Sequence, residues 1–154
     1  MSALYESLFR ECVACLHPGD RFIAAALAYG LARRHGLEPR AYCEMAIAAA
    51  ELASNAVRHA GGGQIEIRAI RVDGRHGVEL DCRDRGPGIA DVALAFHDGA
   101  SGGRERTPED GWGSGLGTGL GAVRRASHDL EVETSPGHGT RVVVRRWARA
   151  PLRR

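Results

Sequence analysis

Residues 8–16 mix apolar and β-compatible side chains and end at His17-Pro18-Gly19-Asp20, which predicts a strand, a turn and then a helix opened by Pro18 or Asp20. Phe22, Ile23, Ala26, Leu27, Tyr29, Gly30 and Leu31 follow a helical period that closes near His35-Gly36. Glu38-Pro39 opens a second helix, almost wholly apolar over 41–57, which runs to about Ala60 and is stopped by Gly61-Gly62-Gly63. The period then drops to two. Residues 64–70 alternate, Asp73-Gly74 turns the chain, and 78–82 alternate again, the mark of a β-hairpin. Residues 91–96 suit a short helix and 120–128 a longer one, while 130–134 and 140–144 read as strands around the turn Ser135-Pro136-Gly137-His138-Gly139. Glycine is so frequent over 99–119 that no packed element is expected there, and a loop of this length in a small domain suits a functional lid. The longer elements give the order β-α-α-β-β-α-β-β. Strands adjacent in sequence imply a mixed, largely antiparallel sheet with helices packed on one face, an α+β two-layer sandwich.

At 154 residues the chain suits a single domain, 1–154, around one core. No apolar run approaches the roughly 20 residues of a membrane-spanning helix, and the N-terminus lacks the pattern of a secretory signal, so the expected location is the cytoplasm, with no membrane partner. Lys plus Arg exceed Asp plus Glu by only two, 21 against 19. Apart from an arginine-rich end from Arg145 to Arg154, read as a solvated tail (148–154 at the least), the basic residues are scattered and give no footprint for nucleic acid. Cys12 and Cys15 lack a second Cys or His pair at a zinc-ligand spacing, and three apart on a strand they point to opposite faces. With Cys43 and Cys82 they read as small buried or half-buried side chains.

Three stretches carry candidate chemistry. Glu51 and Asn55 lie four apart on one face of an apolar helix, where polar groups are costly to bury without partners. Asp84-Arg85-Gly86-Pro87-Gly88-Ile89 follows a strand, and Gly115-Leu116-Gly117-Thr118-Gly119-Leu120 leads into a helix. Each is ordinary alone; in this order and spacing they read as one ATP site. An Asn oxygen can give Mg²⁺ one hard ligand, which fits Asn55. Glu51 could accept a proton from an attacking hydroxyl, and the glycines from Gly115 onward let backbone N–H groups approach phosphate at a helix start. Asp84 could accept a hydrogen bond from the adenine amine, Gly86 and Gly88 could turn the chain tightly against the base, and Arg58 could reach a phosphate.

These residues resemble the three boxes of the GHKL ATPase superfamily, which includes gyrase, MutL and the histidine kinases. Residues 51–59 resemble the N box, Asp84-x-Gly86-x-Gly88 the G1 box and Gly115-x-Gly117-x-Gly119 the G2 box, while Gly137-His138-Gly139-Thr140 resembles the late glycine-threonine element. The resemblance spans about 20–147. It implies the Bergerat ATP-binding fold, ATP and Mg²⁺ as cofactors, the metal on Asn55, adenine read by Asp84 with help from Thr140, and an ATP lid at 99–119. Within the superfamily the pattern is most similar to the small serine/threonine kinases of bacterial partner-switching systems, the RsbT, RsbW and SpoIIAB group of anti-sigma regulatory factors. Glu51-Leu52-Ala53-x-Asn55, Ala60-Gly61-x-Gly63-Gln64-Ile65, Asp84-x-Gly86-Pro87-Gly88-Ile89, Asp98-Gly99-x-Ser101-Gly102-Gly103 and Gly117-x-Gly119-Leu120 recur in RsbT-like chains. That resemblance implies phosphorylation of a STAS-domain antagonist in a stress-response or sigma-factor pathway, with Glu51 as the base. It also implies a second partner, a PP2C-type phosphatase switched on by binding or, in an RsbW-like protein, a sigma factor held in check. A homodimer falls within the same expectation, although no apolar stripe demands one.

Three features depart from the RsbT-like pattern: residues 104–114 look like an insertion in the lid, His59 replaces another aromatic, and the N-terminal strand segment 1–16 resembles nothing specific. Two rival functions use the same pocket, a nucleotide-gated binding module with little turnover and a detached histidine kinase ATP domain. Ser127-His128-Asp129-Leu130 imitates a histidine phosphoacceptor motif. It stands after the third box at a helix end, where His commonly partners the last carbonyls.

Overall fold

In the computed structural model, residues 4–97, 100–101, 104–105 and 119–150 are described. Strand β1 (Tyr5–Cys15) leads into helices α1 (Asp20–Arg34) and α2 (Pro39–Ala60), then the hairpin β2 (Gly63–Val72) and β3 (Arg75–Asp84). A one-turn helix α3 (Val92–Ala95) and a two-residue ladder, β4 (Ala100–Ser101) with β5 (Arg104–Glu105), precede α4 (Gly119–Ala126) and the hairpin β6 (Asp129–Thr134) and β7 (Thr140–Trp147). The small ladder lies where the glycine content argued against any packed element. The main sheet has the order β1-β2-β3-β7-β6, and every pairing among the described residues is antiparallel.

Local chemistry explains the boundaries. Pro39 occupies the first turn of α2, and Gly61, at φ 71°, ends it in the left-handed conformation while Gly62 N–H donates to Ala56 O at 3.0 Å. Asp73 (φ 48°) and Gly74 (φ 80°) supply the two positive φ values of a primed hairpin turn. Gly19 takes the cap position of α1. Asp20 opens the helix without capping it: its carboxylate reaches back to accept from Leu16 N–H and His17 N–H, both at 2.8 Å, and these bonds lower its pKa.

Helices and sheet form two layers around one core. Ala24, Ala28 and Ala32 recur every four residues on α1 and are fully buried, and Ala48, Ala49, Ala53 and Ala56 do the same work on α2, so small side chains let these elements pack closely. Val13, Cys15, Ile65, Ile67, Val78, Leu80, Cys82, Val142 and Val144 supply the inner face of the sheet. Cys12 is exposed and Cys15 buried, the opposite facing that strand parity requires, and Cys43 is exposed as well.

The arginine-rich end is only partly a tail. Arg145 and Arg146 belong to β7: Arg145 pairs with Glu79 (2.7 Å) and Glu131 (2.5 Å) on the outer sheet face, and Arg146 reaches Glu44 (3.2 Å) and Ala126 O (3.0 Å) at the helix layer. Residues 151–154 lie outside the described set, as do 1–3. No helix among the described residues is long and apolar enough to cross a membrane.

Candidate nucleotide site

Helix α2 carries Glu51 and Asn55 toward the C-terminal end of β3. Glu51 is only 4% exposed, Asn55 is half-buried one turn later, and Arg58 is exposed on the last turn. The chain leaving β3 is pressed against that last turn. A Cβ on Gly86 would stand 2.6 Å from the Ala60 Cβ, so only glycine lets the turn after Asp84 lie on the end of α2.

The same turn is fastened from its other side by the β6–β7 hairpin. Asp84 Oδ1 accepts from Gly86 N–H at 2.9 Å and from Thr140 N–H at 3.2 Å. Pro87 O accepts from Gly137 N–H at 2.9 Å, and Thr134 Oγ1 accepts from Ile89 N–H at 2.9 Å. An open hollow of about 540 Å³ at this end of the sheet is lined by Asp84, Thr134, Ser135, His138, Gly139 and Thr140 together with the outer-face side chains Arg83, Glu133 and Arg141, and by no residue of the helix layer. Glu51 and Asn55 do not line it; they stand on the α2 side of the turn. Desolvation lowers the His59 pKa, Arg58 lowers it further, and Asp84 opposes both, which places this imidazole in the field of the candidate base-reading carboxylate.

Gly119 and Leu120 open α4, which packs on α2, but Gly115, Leu116, Gly117 and Thr118 lie outside the described residues. The end of the helix that carries the first box thus meets the turn of the second, Thr140 is fastened to Asp84, and α4, which begins with the end of the third, packs on the same helix. Thr134 escaped the sequence reading, and Gly139, read there only as part of the late glycine-threonine element, has a packing role of its own. Gly139 has φ 82°, and a Cβ there would fall 2.1 Å from Asp84 O. Thr134, an inner-face residue opposite Thr140, bridges the hairpin to the turn. The hairpin register was the signal that could have found it.

Gly139→Ala is expected to destabilise the protein by about 2–4 kcal/mol, combining left-handed backbone strain with the backbone clash. Thermal denaturation checks this; an unchanged melting temperature would show that the hairpin can move away from Asp84.

His128 does not partner the last carbonyls of α4. Its Nδ1 accepts from Trp147 N–H at 3.1 Å, tying it to the sheet, so its role here is structural. Burial and the neighbouring Arg146 lower its pKa, which suits the neutral ring that this bond needs.

A sequence model described as Histidine kinase-like ATPase domain matches residues 21–146, most of the chain. The protein belongs to that family. It is also 29% identical over 140 residues to the serine/threonine-protein kinase RsbT of Bacillus subtilis (strain 168), an alignment that covers 91% of this chain and 98% of that one. The family implies nucleotide binding, and the likeness to a serine/threonine-protein kinase over nearly the full length supports protein kinase activity. The expected superfamily and its two-layer fold are both borne out.

Proposed function

We propose that this family member is an ATP- and Mg²⁺-dependent protein serine/threonine kinase that phosphorylates a STAS-domain antagonist and, between turnovers, activates a PP2C-type phosphatase by binding it. The observation that carries the reading is the convergence at the end of β3. Gly86 rests on the last turn of the helix bearing Glu51 and Asn55, while the carboxylate of Asp84 is held by the backbone of Thr140.

In this reading Asp84 accepts from the adenine amine. Its bonds to described residues all end on Oδ1, so Oδ2 is the oxygen offered to the base. Asn55 contributes a carboxamide oxygen to Mg²⁺. Mg²⁺ commonly takes one or two protein ligands and otherwise water and phosphate oxygens, so a single carboxamide is a sufficient contribution. When bound, the ion neutralises charge on the phosphates. Residues 115–120 receive those phosphates on backbone N–H groups, and Arg58 approaches them from the exposed end of α2. Glu51 takes the proton of the acceptor hydroxyl as that oxygen bonds to the γ-phosphorus and the bond to the β-phosphate oxygen breaks, releasing ADP.

Calorimetry with Mg²⁺ and ATP tests the pocket. Asn55→Ala and Asp84→Asn are each expected to weaken binding by about 10–100-fold, as the loss of a charge-assisted or metal-bridged contact should. Wild-type affinity in both variants would overturn the site assignment. With the pocket established, transfer of labelled phosphate to a purified STAS-domain partner tests the substrate.

A further inference from the structure

Thr134 stands outside the three boxes, yet its hydroxyl is the junction of the base pocket. It lies on β6 opposite Thr140 of β7, which in turn pairs with Asp84 of β3, so all three side chains share the sheet face of Val132, Val142 and Cys82 that is turned to the helix layer. Thr134 Oγ1 accepts from Ile89 N–H at 2.9 Å, which fastens the turn after Asp84 to the hairpin. Two acceptors then stand within reach of its own proton, Gly139 O at 3.2 Å and Thr140 Oγ1 at 3.1 Å.

The direction of that proton decides what the pocket offers. Donated to Thr140, it occupies a lone pair on the Thr140 oxygen and leaves the Thr140 proton free for a ligand beside Asp84. The pocket then presents an acceptor, Asp84, beside a donor, Thr140. Adenine carries the complementary pair, an amine donor next to the ring acceptor N1, whereas guanine carries a carbonyl acceptor next to an N–H donor. Such a reversed pair leaves buried polar groups unmatched and is discriminated strongly.

We propose that Thr134 is a positioning residue for base recognition: its hydroxyl ties Ile89 N–H to the Thr140 hydroxyl and so aims Thr140 as a donor at N1 of adenine. This rests on the nucleotide-site reading above and adds to it a residue that touches no base. Valine at 134 keeps the shape but strands the Ile89 amide and puts a methyl group against the Thr140 oxygen. Serine keeps the hydroxyl.

The test is calorimetric binding of ATP, GTP and 1-deaza-ATP, which lacks the N1 acceptor, to wild type, Thr134→Val and Thr134→Ser. Wild type should bind ATP about tenfold more tightly than 1-deaza-ATP, the worth of one buried hydrogen bond. Thr134→Val should lose about tenfold for ATP but less than about threefold for 1-deaza-ATP, because both changes remove the same contact. It should also narrow the preference for ATP over GTP, and Thr134→Ser should restore ATP affinity to within about twofold. Equal losses for ATP and 1-deaza-ATP in Thr134→Val, or no rescue by serine, would reduce Thr134 to a packing residue and overturn the proposal. If the valine variant does not fold, the wild type decides alone: equal affinity for ATP and 1-deaza-ATP overturns it. A wild type that binds no nucleotide overturns the underlying site reading instead, an outcome distinct from failure at Thr134.

Discussion

Glu51→Gln is expected to cut phosphoryl transfer to the partner protein by about 10²–10⁴-fold while leaving ATP affinity within about threefold of wild type. The side chain is 4% exposed on a helix whose neighbours Leu52 and Ala53 are equally buried, so a truncation would disturb packing and confuse the result. Glutamine has the same shape and can still hydrogen-bond. It cannot take a proton at neutral pH. The transition state of phosphoryl transfer is loose, so part of the role of Glu51 is to orient the acceptor hydroxyl, and glutamine retains some of that. The measurement is single-turnover transfer of labelled phosphate beside calorimetric ATP binding. Unimpaired transfer would sink the base role. A matching loss of ATP binding would make Glu51 a nucleotide ligand, and a wild type that binds ATP and its partner but transfers nothing would favour a nucleotide-gated binding module. The phosphorylated product also separates the kinase classes, since phosphoserine survives acid and phosphohistidine does not.

The helices and hairpins were legible because their apolar periods are clean. The turn at Asp73-Gly74, Pro39 at the start of α2 and Gly61 at its end all act through local backbone chemistry that sequence displays directly. The start of β1 was less visible: its first residues are mostly exposed, and a bulge between Ser7 and Phe9 breaks the alternation. The end of β7 was hidden for a different reason. Arg145 faces outward and Arg146 inward, so no alternation of apolar and polar marks them as strand, and only Glu79, Glu131 and Glu44, distant in sequence, give these charges their places. Glu79 and Asp81 show the same limit. They alternate as solvent-facing residues of β3, yet they are 2% and 1% exposed because Arg68 of β2, Arg83 of β3 itself, and Arg141 and Arg145 of β7 lie over them. In the site, Asp84, Gly86, Gly88 and Thr140 were readable as motif positions. Thr134 was not, because a threonine in a strand is ordinary and its meaning comes from standing across from Thr140.

Asp81→Asn is expected to lower stability by about 2–3 kcal/mol at neutral pH, somewhat under the usual cost of breaking a buried ion pair. The discount is physical: Arg83 and Arg141, left behind, are partly wet, 53% and 33% exposed, and can turn to water, while the more buried Arg68, 3.6 Å from the carboxylate and 17% exposed, keeps its bonds to Glu66 and Glu79. The carboxylate itself is enclosed and bidentate to two of these arginines, to Arg141 at 2.9 and 3.0 Å and to Arg83 at 3.0 and 3.1 Å. Burial pushes its pKa up, but the hydrogen bonds and charges of Arg141 and Arg83 outweigh burial and hold it well below the usual carboxylate range. A carboxyl whose pKa is depressed by folding gives stability that is complete above its unfolded value of about 3.9 and is lost as pH falls toward the folded value. The difference between wild type and Asp81→Asn should therefore be constant from pH 7 to about 5 and shrink below about 4. Urea denaturation at stepped pH reads this directly. A difference that stays constant down to pH ~2.5 would mean that asparagine fails through its packing or hydrogen bonds and that charge on Asp81 adds nothing. A shrinking difference would show why the outer face of this sheet does without a second layer of helices: its central strand is covered by ion-paired side chains, which leaves the single helix layer free to form the nucleotide site.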